Sequence, residues 1–584
     1  MRLLLHSWFC LATVSASGAL GIDVGSANSV VAVTRRGGVD VVANEATKRQ
    51  TPSVVAFDER RRFMGESASA LRSRPNGCVA GSKLLLGCDD SATATTQEVE
   101  YLGRKRAFSP VQIFAMLLHH LHVTAEREHG SALPECALAV PAHWGAAQRQ
   151  AVLDAAEVAG TRCVRLISDG AAAALDYVMG RRGELPTEED RCVAFVDAGA
   201  SGVQFCVVRM RQDVLQVLSH AHAADAGGTA LDDALAVHFA AQFRAQSGED
   251  ALAQPRAAVR LRQACERLRR TLSANSQSSV AIDCLVGEAG LQCSLTRAEL
   301  EAMAEPLLAR VGAACAHAMS DSGLRPGDLH SVELVGGFSR MPAVQGVLQE
   351  ALGVEPSRTL NAEESVARGA ALAAALQSPS FKVRPLLLQE GLRQPYTVHW
   401  RADDGGPPSG SLELELGSPL PLTRRLTLHT NAALRVSCEQ AACGGRQLEQ
   451  LAPGARPRGR SSRWAVWKDE GDEPTRTVHV DVIVDANQLP SLRASEPANA
   501  EEEAAGSAAG SAAEGAPEGT EEDATEGAAQ GAEAGAVEGA VEGAAEGAAA
   551  GAAEGADEGV VEGAEGAEEG AEDDVEEGTA EGPA

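Results

Sequence analysis

Short apolar runs, each ended by a turn of small residues, recur through the first 385 positions. In CVAFVDAGASGVQFCVV the first run leads into Asp197. Gly199, Ala200, Ser201 and Gly202 follow, and a second run opens at Val203. This predicts two strands joined at a tight bend that carries one carboxylate. LGIDVGSANSVVAVT repeats the arrangement around Asp23 and Gly25, and each copy is followed by a third apolar run, VDVVAN or VLQVLSHAHA. The chain thus holds an internal duplication of a strand–turn–strand–strand unit. AAQRQAVLDAAEVAG and ALDDALAVHFAAQF follow the two copies with helical periodicity. A third glycine turn, in SVELVGGFSRMPAVQGVLQEAL, predicts a strand, then Gly336-Gly337, then a helix opening at Pro342.

Backbone N–H groups in such turns can approach phosphates closely. Two α/β halves facing a nucleotide would set Asp23 and Asp197 on opposite walls, where they could hold Mg²⁺ through its waters.

The texture changes near residue 385. RPLLLQEG is a short apolar linker able to dock on either neighbour. YTVHW, SLELEL, RRLTLHT, ALRVSCE, SRWAVW and RTVHVDVIV then predict a smaller β domain. Trp464 and Trp467 are read as its core. After Leu492 no Leu, Ile or aromatic residue occurs, and repeated EGA units predict a disordered tail.

Charge fits this division. The net charge of −30 is largely the tail's: 26 acidic and no basic residues lie in 501–584, leaving 55 acidic against 51 basic elsewhere. A nearly neutral body offers no basic footprint for nucleic acid. Thirteen cysteines contain no CxxC pair, which disfavours a zinc site and suits reduced thiols in the cytoplasm. MRLLLHSWFCLATVSASGAL carries some features of a signal peptide over 1–18, and the endoplasmic reticulum lumen is the alternative location. No stretch elsewhere is apolar and long enough to span a membrane.

GIDVGSANS, SKLLLG, AVPAHWGAAQRQA, VDAGASGVQF, ACERLRRTLSANSQ and VELVGGFSRMP together resemble the heat shock protein 70 family. GGVDVVANEATKRQTPSVVAF, LNAEESVARG and SPSFKVRPL are similar to its heat shock protein 110 branch. The resemblance covers residues 20–494. It implies an α/β chain with a two-lobed actin-like ATPase domain over 19–384, a linker over 385–390, a small β-sandwich substrate domain over 391–494 and the tail over 495–584. It also implies ATP or ADP with Mg²⁺, unfolded polypeptide clients and a heat shock protein 70 partner.

Carried over residue by residue, the resemblance gives Asp23, Gly25 and Ser26 to the first phosphate turn and Asp197 and Gly199 to the second. Lys83 would reach the reacting phosphate, and Gly228 lies in a later glycine pair. Glu266, Arg269 and Ser273 would surround the adenosine, and Gly336, Gly337 and Arg340 would form the third turn and base pocket. Pro141 and Arg149 match positions that relay nucleotide state. Ser168-Asp169-Gly170-Ala171 stands where the family has Asn-Glu-Pro-Thr, so the carboxylate is kept but shortened; Lys83, Asp169 and Asp197 are the candidate catalytic groups.

Three departures bear on activity. Ala27 replaces a Thr, Gly202 another Thr, and Gln204 an Asp. The last two remove groups beside the attacking water. The expectation is an ATP holder that hydrolyses slowly, with Gly202→Thr plus Gln204→Asp raising the rate. The family's helical lid after the β domain has no counterpart here. A metabolite kinase on the same fold is a rival, but neither a base for a substrate hydroxyl nor a sugar pocket is identifiable. An interaction protein that binds no nucleotide is another.

Overall fold

The computed structural model describes residues 18–35, 37–72, 77–86, 96–379, 381, 383–402, 409–430, 434–440, 448–451 and 476–495. The possible signal peptide (all but residue 18), the SRWAVW run with Trp464 and Trp467, and the tail from 496 lie outside them.

The duplicated sequence unit becomes two sheets of the same strand order. In the first, Leu20–Val24 pairs in parallel with Glu135–Val140 and antiparallel with Asn28–Arg35. Arg162–Ser168 and Gly38–Val41 flank these on either side. In the second, Arg191–Ala198 takes the central place, with Ser331–Val335 parallel on one side and Gly202–Met210 antiparallel on the other. Pro356–Ser357 and Val214–Ala224 lie outside them. Both central strands are buried along most of their length, as continuous apolar runs covered on two faces should be.

Local chemistry sets the helix ends. Ser109 caps the helix Pro110–His129, Pro110 fills its first position, and Gln112 completes a capping box. Thr296 and Glu299 do the same for Arg297–Ser322. Two alanine-rich helices, Asp169–Arg181 and Ser365–Gln377, are buried among the strands of both sheets.

The linker is a strand. Leu387–Gln389 pairs in parallel with Val214–Gln216 and extends the second sheet by one member that the first sheet lacks. Beyond it, two sheets face each other: one holds Tyr396–Ala402 with Gly410–Leu414 and Leu434–Gln440, the other Leu422–Thr430 with Arg476–Val484 and Pro490–Ser495. Val478, Val480, Val482 and Val484 all point inward, the period-two pattern of a half-buried strand. Ala146, which precedes the linker by more than two hundred residues, completes this β core. The sandwich is therefore docked.

Candidate functional site

The strand ends bring the three glycine turns together. Ser26 Oγ donates to Ser201 Oγ at 3.0 Å, which ties the first turn to the second. Gly228 N donates to Gly199 O at 3.1 Å. Gly336 has φ +81, and a Cβ there would overlap the carbonyl oxygen of Ala198, so the third turn closes on the second only as glycine.

Around these turns stand Asp23, Asp169, Asp197 and Lys83. Asp23 and Asp197 are partly buried. Asp169 and Lys83 are buried, with Lys83 Nζ 3.8 Å from Asp169 Oδ2. Burial pushes the Asp23 carboxyl up to about 6, with Lys83 opposing and Asp169 adding to the rise. Burial, then the charges of Asp169 and Asp23, push Asp197 up to about 7 against the pull of Lys83. Asp169 Oδ1 is buried without a partner. Three carboxylates against one ammonium leave negative charge that a cation would relieve. Among the described residues no group of three could ligate a metal directly. A hydrated Mg²⁺ held through its waters fits this donor set; a stripped ion does not.

Gln204 lies among them. Its Nε2 donates to Asp169 Oδ2 at 2.8 Å, and its Oε1 accepts from Ala142 N at 3.3 Å. Gly202 carries a second constraint: a Cβ there would lie 2.7 Å from Ala223 O on the paired strand. Reinstating Thr at 202 therefore requires a backbone shift. The rate gain expected of Gly202→Thr plus Gln204→Asp has to accommodate that shift.

The adenosine candidates form a separate group. Arg269 binds Asp232 through two hydrogen bonds of 2.7 and 3.0 Å and lies 5.6 Å from the Phe338 ring centroid. Gly228 faces this guanidinium so closely that a Cβ would meet Nη2 at 2.9 Å. Glu266 is turned to Arg270 at 2.7 Å, and Ser273 donates to Arg269 O. Arg340, beyond Gly337, pairs with Glu363 at 2.8 Å and is mostly exposed.

A relay of contacts leaves the cluster toward the sandwich. Lys83 lies 5.7 Å from the Trp144 ring centroid, and Trp144 N donates to Pro141 O. Arg149 is buried, donates to Trp144 O at 3.0 Å and reaches Asn487 O of the sandwich at 3.5 Å. Asn487 Oδ1 accepts from Leu166 N. The linker contributes Glu390, which pairs with Arg165 at 2.9 Å and accepts from Ser168 Oγ at 2.6 Å. Sequence reasoning missed Glu390; its only signal was a lone acid after an apolar linker.

Two lobes of one strand order, closing on phosphate-type turns, define an actin-like ATPase fold. The family model described as Hsp70 protein matches residues 19–401, and the chain belongs to the heat shock protein 70 family of nucleotide-binding chaperones. Within it the chain is most like the heat shock protein 110 branch. Heat shock 70 kDa protein 14 of Arabidopsis thaliana is 34% identical over 447 residues, 72% of this chain and 54% of that protein. Heat shock protein hsp88 of Neurospora crassa is 37% identical over 432 residues, 70% and 61% respectively. A heat shock protein homolog of Lachancea kluyveri is 31% identical over 525 residues, 83% and 74%. The chain thus spans little more than half the length of several relatives it matches, 54% to 56% for three from Arabidopsis thaliana.

Proposed function

We propose that this chain is an ATP-switched chaperone that hydrolyses slowly, holds unfolded polypeptides and promotes nucleotide release from a heat shock protein 70 partner. The observation that carries the slow-hydrolysis reading is Gln204. Its amide engages Asp169 in the cluster, and an amide cannot accept the proton of an attacking water. Losing a proton-handling group typically costs about 10²–10⁴-fold in rate. The charge-stabilising groups remain: Lys83 toward the phosphates, and Asp23 and Asp197 on the waters of Mg²⁺, which would neutralise phosphate charge when bound. The docked linker and sandwich support a switch, since Glu390 contacts Ser168, next to Asp169, and Asn487 contacts Leu166 on the same strand.

The test uses the full chain. ATP affinity and single-turnover hydrolysis are measured with Mg²⁺, followed by release of labelled ADP from a heat shock protein 70 partner. Tight binding, slow turnover and accelerated release support the proposal. No ATP binding overturns the nucleotide part. No acceleration at saturating protein removes the exchange role and leaves client holding.

A further inference from the structure

Where the sandwich meets the second lobe there is a cavity of about 350 Å³. Its floor comes from the strand Val214–Ala224 and from Gln204. One wall is His143, and the cap is Arg393 and Gln394, the residues just past the linker. His143 and His222 stack face to face, 3.7 Å between centroids and 5° between planes. Gln394 Nε2 donates to His143 O at 2.7 Å, which fixes the cap on the wall.

The charges around this cavity do not balance. Its one carboxylate, Asp321, is engaged by His317 Nδ1 at 2.9 Å. Arg393 is largely buried, its Nη2 reaches only the carbonyl oxygen of Val217 at 3.4 Å, and its Nε is shut from solvent without a partner. Among the described residues no carboxylate lies within ion-pairing distance of Arg393; nearby Glu390 is held by Arg165 and Ser168. A buried guanidinium without an anion is costly, and a complementary anion relieves that cost. His143 adds a neutral imidazole, since burial holds it below its ordinary range, while His220 turns Nδ1 to Phe205 O and Nε2 to Cys206 Sγ. Leu218 and Leu416 supply apolar wall.

We propose that this interdomain cavity is a binding site for a small organic carboxylate, whose oxyanion meets Arg393 and whose apolar body lies against Leu218 and Leu416. Such a ligand bridges both domains and therefore favours the docked arrangement. It also touches Gln204, whose amide reaches Asp169, so occupancy bears on the nucleotide cluster. The inference rests on the docked arrangement and deepens the switch reading, but its readout is binding itself and does not depend on turnover or exchange.

The probe is benzoate, with benzamide as its neutral isostere, titrated into the full chain with ATP and Mg²⁺ and followed by ligand-observed NMR. Benzoate is expected to bind at least tenfold tighter than benzamide. Arg393→Met should remove that preference and Arg393→Lys should retain most of it, with unchanged ATP binding showing that both variants fold. Release of the sandwich, read as protease sensitivity of 385–395, should slow with benzoate. Equal affinities for benzoate and benzamide, or a preference that survives Arg393→Met, overturns the site.

Discussion

Replacing Asp197 by Asn separates the cost of the carboxylate cluster from its use. Asn keeps the shape and removes the charge. In the folded protein the Asp197 carboxyl is pushed up to about 7 by burial and by Asp169 and Asp23, against 3.8 ordinarily. Between those values the native state holds more protons than the unfolded chain, so stability falls as pH rises through that window. A rise of about three units is worth at most about 4 kcal/mol at pH 8. Partial exposure of Asp197 to water brings the expected figure nearer to about 2 kcal/mol. Nucleotide-free Asp197→Asn should therefore melt several degrees above the wild type at pH 8, and the two should converge by pH 4. Asp23 should become easier to ionise, because one of its like-charged neighbours is gone. With ATP and Mg²⁺ the order should reverse: wild type gains roughly 2.7 kcal/mol at a hundredfold excess over Kd, and the variant loses the Mg²⁺-dependent part. The assay is thermal unfolding of the full chain from pH 4 to 8, with and without ATP–Mg²⁺. A variant less stable than wild type at pH 8 without nucleotide, or a difference independent of pH, would refute the charge argument.

Glu390→Gln leaves Arg165 buried without its carboxylate. Breaking such a pair costs about 3–5 kcal/mol, so protease cleavage near 385–395 should rise sharply while ATP still binds. Gly202→Thr alone should lower the melting temperature, because its Cβ meets Ala223 O at 2.7 Å; unchanged stability would show that the paired strand yields easily. Gln204→Asp alone should raise single-turnover hydrolysis at least tenfold, and no gain would mean that further catalytic geometry has been lost. Deleting 501–584, which contains no Leu, Ile or aromatic residue, should leave ATP affinity and melting unchanged, as calorimetry can check.

The features that depended on local patterns were legible. Asp-x-Gly after an apolar run marked both central strands, because the turn and strand signals are short-range. Alternating valines in RTVHVDVIV gave a half-buried strand, and the capping residues of the long helices stood in the sequence. Contacts between distant residues were not legible. Gln204 read as the loss of a carboxylate; its hydrogen bond to Asp169 spans 35 positions and exists only because the strand Gly202–Met210 and the helix Asp169–Arg181 meet. Gly202 read as a lost hydroxyl, whereas the pairing with Val214–Ala224 leaves little room for a side chain. RPLLLQEG had two possible neighbours, and an unpaired edge at Val214–Gln216 decided between them. The stack of His143 on His222 required both lobes in place.

The closeness of the cluster to the docked linker bears on how a switch could work. Asp169 opens a helix and offers its carboxylate to Gln204 and Lys83. Ser168, the preceding residue, closes a strand and gives its hydroxyl to Glu390 of the linker. Successive residues at a strand–helix junction point in different directions, so one peptide unit faces both the carboxylate cluster and the linker. Arg165, on the same strand, holds the other Glu390 oxygen. A shift of Asp169 toward or away from bound phosphate must then move Ser168, and Glu390 feels it at hydrogen-bond distance. No long chain of packed residues is needed to carry the signal. What is needed is a difference in Asp169 position between nucleotide states, since a ligand shifts an equilibrium only by its differential interaction with the two states. The mutually repelling carboxylates would supply one: the charges of Asp23 and Asp197 oppose that of Asp169, and a hydrated Mg²⁺ held by Asp23 and Asp197 would relieve that opposition. The same charges that make the carboxylate cluster costly can thus hold the strand end where Glu390 binds it.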